Sequence, residues 1–271
     1  MESTPSKCVF CGRGAPDVKL SKEHVLRAWL RSRLGHTDSW TAYRQEYTDP
    51  ASGTVQRAFR DLPHSPYVQV VRDVCTSCNH GWLNERVEKP VEGFLVSLAK
   101  AEHIELSATD AEQLALWAAK TAAVRALMDK GTRVIPPAHY HWIKQNLTPP
   151  PLTHVWIVHC DAPYDTWTRH FRFVQPGFDE QSFGHSTTVI LGQMMLHVVG
   201  FSCEPMRFSS DGISGIRPGE LDLLYAERSE GGAIALWPEP SAFTWPPRVK
   251  LSREAAICLT GPVFTDNDEM T

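Results

Sequence analysis

Two short stretches, CVFCG at residues 8–12 and VCTSCN at residues 74–79, decide the fold of the first third of the chain. Each contains a Cys-x-x-Cys pair, and four thiolates at this spacing match the tetrahedral preference of zinc. The predicted zinc ligands are Cys8, Cys11, Cys75 and Cys78. The alternative, four unrelated buried or free thiols, leaves the matched spacing unexplained. The sequence therefore predicts a structural Zn²⁺ that holds the two ends of this segment together.

Composition is that of an ordinary globular protein, with 42% hydrophobic and 21% charged residues in a chain of 271. The longest apolar run, residues 187–201, is interrupted by Gly192, Gln193 and His197 and is too short to cross a bilayer. The first ten residues lack the apolar core of an export signal. We therefore expect a cytoplasmic protein without a membrane partner, in which cysteines serve as metal ligands or buried thiols rather than disulfides.

Charge is distributed unevenly along the chain. The formal net charge of −4 argues against a nonspecific nucleic-acid binder. Residues 1–100 nevertheless hold 14 Lys and Arg against 11 Asp and Glu, so the remainder carries all of the acidic excess. Contact with phosphate groups is therefore expected only in the N-terminal part.

Changes in composition divide the chain into three parts and predict the α+β class. A zinc module is expected at residues 1–89, a helical region at 90–147 and a strand-rich C-terminal region at 148–271. Two short strands, residues 40–47 and 54–60, flank a DPASG turn and predict a hairpin within the first part.

The helical part has one strong helix prediction, at residues 107–131, where Ser107 or Thr109 can cap the start and Gly131 can end the helix. Shorter helices are predicted at residues 90–102 and 138–147. Strand composition then recurs at residues 154–160, 169–174, 187–201 and 232–238.

Between the cysteine pairs lies LSKEHVLRAWL, residues 20–30. A Cys-x-x-Cys pair, then Glu23-His24-Val25, then Cys75-x-x-Cys78-Asn79, resembles the HNH endonuclease family. The resemblance covers about residues 8–89. It implies a treble-clef, ββα-metal zinc fold and a hydrolase that cleaves phosphodiester bonds, with DNA favoured over RNA as the partner.

The resemblance also assigns roles to particular residues. His24 is the general base, and an imidazole that titrates near neutrality can accept a proton from water. Glu23 and Asn79 are ligands of a catalytic Mg²⁺ or Mn²⁺, which prefers such hard oxygen atoms. His80 is a further ligand or a phosphate contact. Phosphate contacts or an ordinary solvated helix face are the two interpretations of Lys22, Arg27, Arg31 and Arg33.

Two other interpretations stay open. A noncatalytic zinc module that binds nucleic acid or protein is favoured by the acidic net charge and by the lack of an evident central Asn or His in the motif. A treble clef that hydrolyses a small substrate is the third. The C-terminal region is expected to select a substrate, to form a homodimer or to bind another protein, and no motif in it decides among these.

Overall fold

The computed structural model describes residues 7–35, 41–48, 55–62, 66–128, 135–161, 166–174, 182–203, 233–253 and 256, with the backbone alone in 41–62. Its longest helix, α5 (Ala108–Ala126), begins where predicted. Ser107 caps it: the Asp110 backbone N–H donates to Ser107 Oγ at 3.2 Å, and the Ser107 backbone N–H donates to the Asp110 carboxylate at 2.9 Å. The helix ends at Ala126, and the predicted stop at Gly131 lies outside the described residues.

Helix α5 is buried on nearly all sides rather than along one apolar stripe. Its small residues allow this, because alanines line much of its surface and let neighbouring elements approach closely. Two charged residues, Lys120 and Arg125, are buried with them. The helix is therefore a central support against which the other layers pack.

The N-terminal part contains two antiparallel strand pairs. Strand β1 (Leu20–His24) pairs with β4 (Val70–Cys75), with an irregular register between Ser21 and Glu23. Strands β2 (Thr41–Thr48) and β3 (Val55–Leu62) form the second pair, which confirms the predicted hairpin strands. The turn between them lies outside the described residues.

Several short helices lie before and after α5 in the chain. They are α1 (Ala28–Leu34), a 3₁₀ turn (Pro66–Val68), α2 (Thr76–Cys78), a π-helical segment (Asn79–Glu88), α3 (Lys89–Glu92), α4 (Leu95–Ala99) and, after α5, α6 (Pro137–Asn146). The π-helical segment is interrupted at Gly81, where ψ is −115°. Residues 90–102, predicted as one helix, contain two short helices, α3 and α4. The helix predicted at residues 138–147 is confirmed by α6.

The C-terminal region forms one antiparallel five-stranded sheet in the order β10-β6-β9-β8-β7. Its strands are β6 (Thr153–His159), β7 (Thr166–Val174), β8 (Phe183–Leu191), β9 (Met194–Phe201) and β10 (Ala233–Trp237). Every residue of β8 and β9 is buried, so both faces of the sheet are covered. The turn between them needs Gly192, which has a φ of +55° and lies against the Ala99 carbonyl, where a Cβ atom would not fit.

A small fourth sheet links the C-terminal region to the helical region. Strand β5 (Ile104–Leu106) pairs with β11 (Phe243–Trp245), and the Trp245 indole N–H donates to the Leu98 carbonyl at 3.0 Å. This pairing was not predicted, because a three-residue strand carries too little pattern to be recognised. It places the end of the described chain against its middle.

The α+β class is confirmed by these helices and antiparallel sheets. One continuous set of buried apolar residues draws on all three predicted parts, including Leu26 and Leu83 from the first, Trp117 from the second and Leu196 from the third. The boundaries at residues 89 and 147 stay a prediction. In the described part of the chain, no helix combines the length and the apolar character needed to cross a membrane.

Candidate functional site

The four predicted zinc ligands come together in the structure. The sulfur atoms of Cys8, Cys11, Cys75 and Cys78 all lie within 4.8 Å of one another. Local turns produce this arrangement: the Gly12 backbone N–H donates to the Cys8 carbonyl at 2.8 Å, and Gly12 adopts a φ of +69° that favours glycine. Among the described residues this is the only such group, and it fits a tetrahedral structural metal. We call it the cysteine cluster.

Two of its thiols, Cys8 and Cys78, share a hydrogen bond that shifts their pKa values in opposite directions. A hydrogen bond from the Cys78 thiol lowers the pKa of Cys8 to about 4, against the opposing effect of burial. The same bond raises the pKa of Cys78. The nearby Cys11 sulfur raises the pKa of the exposed Arg13 guanidinium. Negative charge therefore develops at this cluster, which is what a bound cation needs.

His24 is the last residue of β1 and is half-buried. Burial lowers the pKa of His24 below its usual value, although the neighbouring Glu23 carboxylate opposes the shift. The imidazole is therefore neutral at pH 7 and able to accept a proton. Lys22, two residues earlier on the same strand, and Arg72 on β4 are both exposed, so cationic side chains accompany His24 on the outer side of the strand pair.

Glu23 faces the opposite way and is fully buried. Its Oε1 atom lies 3.0 Å from Lys120 Nζ, and its Oε2 atom lies 3.5 Å from the Arg27 guanidinium. Glu88 completes the group, because Lys120 Nζ donates to it at 2.5 Å and the Trp117 indole N–H donates to its other oxygen at 3.0 Å. We call Glu23, Arg27, Glu88 and Lys120 the charge tetrad.

The charge tetrad is electrically balanced. Burial acts to raise the pKa of Glu88, but Lys120 and Arg27 outweigh it and leave that pKa below its usual value. Burial acts to lower the pKa of Lys120, but Glu88 and Glu23 outweigh it and raise that pKa. Glu88 and Lys120 are therefore both held in their charged forms, and the tetrad joins β1 to the central helix α5.

Asn79 connects the start of the π-helical segment to β1. Its side-chain amide donates to the Lys22 carbonyl at 2.8 Å and to Ser21 Oγ at 3.1 Å. Its Oδ1 atom is buried and has no hydrogen-bond partner among the described residues. His80, the next residue, is exposed and points away from this buried contact.

The predicted ligands of a catalytic Mg²⁺ or Mn²⁺ are not arranged as an open metal site. Glu23 lies on β1 and Asn79 is hydrogen-bonded to that strand. The Glu23 oxygens, however, face Lys120 and Arg27 instead of solvent. As arranged, Glu23 and Asn79 do not offer the open set of oxygen ligands that a hydrated Mg²⁺ needs. Their role as cation ligands, like that of His80, stays a prediction.

Lys120 and Glu88 are the residues that the sequence analysis missed. A signal for Lys120 was present, because AAKTAAVRA places lone charges within an otherwise small and apolar helix. A charge there is either exposed or paired, and the alanines around it favour burial. Its partner Glu23 lies in a distant part of the sequence, so the pairing itself could not be inferred.

Comparisons of the chain with protein-family models, with curated proteins and with solved structures gave no match. The geometry and chemistry of the site are therefore what indicate a function.

Proposed function

We propose that residues 1–89 form a treble-clef, HNH-type zinc module that hydrolyses DNA phosphodiester bonds with His24 as the general base. The observation that carries the proposal is the neutral, half-exposed imidazole of His24 at the end of β1, the strand whose other end, Leu20, pairs with Cys75 of the cysteine cluster. A base that must take a proton from water near pH 7 needs both its lone pair and access to solvent.

The arrangement of elements supports the zinc-module part of the proposal. A tight cysteine turn is followed by the β1–β4 pair, and the second cysteine pair begins a helical segment. In the proposed role, zinc is structural, because four protein thiolates leave no position open for water or substrate.

In the proposed reaction, His24 takes a proton from a water molecule whose oxygen attacks the phosphorus atom. The phosphorus–oxygen bond to the leaving nucleotide breaks, and that oxygen takes a proton from solvent. Lys22 and Arg72 contribute positive charge on the same side as His24 and would contact neighbouring phosphates. The proposed reaction also uses a divalent cation, Mg²⁺ or Mn²⁺, which is supplied in the assay. Glu23 can bind this cation only after its ion pair with Lys120 breaks.

The second candidate function is a noncatalytic zinc module that binds nucleic acid or protein. The charge tetrad favours it, because the buried Glu23 carboxylate is held by two cations, Lys120 and Arg27, and acts as a structural anchor. The two candidates differ in whether His24 is needed for turnover.

The decisive experiment incubates supercoiled plasmid with the purified full chain and Mg²⁺ or Mn²⁺, beside His24→Ala and a matched control, His103→Ala. His103 is exposed and lies outside the site. We expect the wild type and His103→Ala to nick or linearise the plasmid, and His24→Ala to lose at least about 100-fold of the rate, the usual contribution of a general base.

Two results would contradict the nuclease proposal. Equal cleavage by His24→Ala means that His24 is not the base or that the activity is a contaminant. No cleavage of plasmid, single-stranded DNA or RNA by a folded, zinc-loaded wild type leaves the binding module. A gel-shift assay of the same proteins on duplex DNA then tests that second function.

A further inference from the structure

Three buried imidazoles meet between α6 and the sheet, far along the chain from the cysteine cluster. They belong to His139 on α6, His170 on β7 and His185 on β8. The ring centroids of His139 and His185 are 6.0 Å apart, and those of His170 and His185 are 5.8 Å apart. We call these three residues the histidine cluster.

His185 occupies the middle of the cluster and is 2% exposed. Neither of its ring nitrogens has a hydrogen-bond partner among the described residues, and the same holds for Nδ1 of His139. Leaving such groups unpaired in the interior is unfavourable, because each has lost its hydrogen bond to water. Groups of this kind in a folded protein usually have a partner such as an ion or ordered water.

The surroundings fix two of the rings. The Nδ1 atom of His170 is hydrogen-bonded to Thr187 Oγ1, which orients the ring and leaves Nε2 on its opposite side. The His185 ring lies directly against the backbone of Gly200, where the Cβ atom of any other residue would overlap it. The sequence therefore makes room for this imidazole with a glycine on the neighbouring strand.

The electrostatic state of the cluster suits a metal. Burial lowers the pKa of His139 to about 4. Burial, followed by the influence of His139, lowers the pKa of His185 to about 3. Both rings are therefore neutral at physiological pH. A neutral imidazole keeps the lone pair that binds zinc and similar transition metals, whereas Mg²⁺ and Ca²⁺ prefer oxygen.

We propose that His139, His170 and His185 bind a divalent transition metal, with Zn²⁺ as the leading choice and water as the fourth ligand. Three imidazoles with one open position are a known zinc coordination set. Rings that share one tetrahedral ion have centroids about 5 Å apart, since each nitrogen lies about 2 Å from the metal. The observed separations are slightly larger, and the nitrogens are not gathered within 4.8 Å as the sulfurs are. Rotation of the His139 side chain, whose ring is not fixed by these contacts, completes the site when the metal binds.

Cobalt distinguishes this site from the cysteine cluster. The full chain is unfolded, refolded with Co²⁺ in place of zinc, and freed of excess metal, so that burial of the site does not prevent loading. Cobalt bound to thiolates gives a strong charge-transfer absorption, whereas cobalt bound to imidazoles does not. We expect two cobalt ions per chain in the wild type and one thiolate charge-transfer signal.

His185→Gln tests the assignment because it keeps a polar side chain of similar size. It should bind one cobalt ion, with the thiolate signal unchanged. The matched control is His197→Gln: His197 is equally buried but bonds Ser186 and Thr188 on the other face of the sheet. That variant should keep two cobalt ions.

The proposal is overturned if the wild type binds a single cobalt ion, or if His185→Gln still binds two. If His185→Gln does not refold by circular dichroism, His139→Gln replaces it, since His139 lies on α6 at the margin of the cluster. Retention of two ions by a folded His139→Gln likewise overturns the proposal. None of these readouts depends on nuclease activity.

Discussion

The buried polar side chains around β1 are charged, whereas those between α6 and the sheet are neutral. Around β1 the interior holds the cysteine cluster and the charge tetrad, in which each charge has a counter-charge nearby. Against the sheet it holds histidines hydrogen-bonded to threonines, His170 to Thr187 and His197 to Thr188. Buried charged groups need counter-charges that other elements hold in place. Buried histidines, in contrast, stay neutral only while the pH is high enough. The two regions should therefore fail under different conditions.

The largest effect is expected from Cys78→Ser, which removes one thiolate of the cysteine cluster. A structural zinc site contributes about 10 kcal/mol to folding in small zinc domains, so the N-terminal part should lose its structure. Zinc per chain, measured by mass spectrometry, should fall by one equivalent, and circular dichroism should report the unfolding. Cys160→Ala is the control, because Cys160 is buried next to the sheet and outside the cluster. Full zinc binding by Cys78→Ser would show that the cluster is not a metal site.

The next largest effect is expected from Lys120→Met, which leaves two buried carboxylates without their shared cation. Breaking such a group from one side costs about 3–5 kcal/mol in the free energy of unfolding, measured by denaturant titration. Lys100→Met, at an exposed position, should change it by less than about 0.5 kcal/mol.

A triple variant, Glu23→Gln with Glu88→Gln and Lys120→Met, sharpens this test. Since it removes both acids along with the cation, it should be more stable than Lys120→Met alone. If the single variant is as stable as the wild type, the ion pairs of the tetrad do not form in solution.

Acid should act on the sheet region instead. Burial lowers the pKa of His197 to about 4, so in the folded state this histidine stays neutral while the unfolded chain takes up a proton below about pH 6.5. The contribution of His197 to the free energy of unfolding should therefore be constant above pH 6.5 and should fall by up to about 1.4 kcal/mol per unit between pH 6.5 and 4. Denaturant titrations across this range should show a smaller fall for His197→Gln. An unchanged slope would mean that other groups cause the acid sensitivity.

The smallest effect is expected at the start of α5, the element shared by both regions. Ser107→Ala removes the capping box and should cost about 1 kcal/mol by denaturant titration. Thr109→Ala tests the other cap that the sequence allowed, and it should be neutral because Thr109 lies inside the first helical turn. If Thr109→Ala destabilised the protein more than Ser107→Ala, the residue that caps the helix would be Thr109 instead of Ser107.

Local signals in the sequence were enough for much of the fold. The cysteine pairs, the hairpin strands, the start of α5 and the strands of the sheet all depend on spacing or periodicity within a short window. The burial of α5 on several sides was not predicted, because a one-sided apolar stripe is what such a pattern normally indicates. The break in the π-helical segment at Gly81 also needed the structure.

The sequence predicted which residues belong to the site better than it predicted how they are arranged. His24, Glu23 and Asn79 do lie around one strand, but the sequence could not reveal that Glu23 faces Lys120. The histidine cluster was missed for the same reason, since its members lie on one helix and two strands. Contacts between distant parts of the chain leave no local pattern to recognise.

The pairing of β5 with β11 has a consequence for how the protein is made. Ile104–Leu106 leaves the ribosome long before Phe243–Trp245 is synthesised, so one strand waits with its hydrogen-bonding edge unpaired. Until then the indole of Trp245 is also missing from its buried place beside Leu98. A chain that ends before residue 243 would therefore keep an open strand edge and lack the indole beside Leu98, and it should aggregate more readily than the full chain.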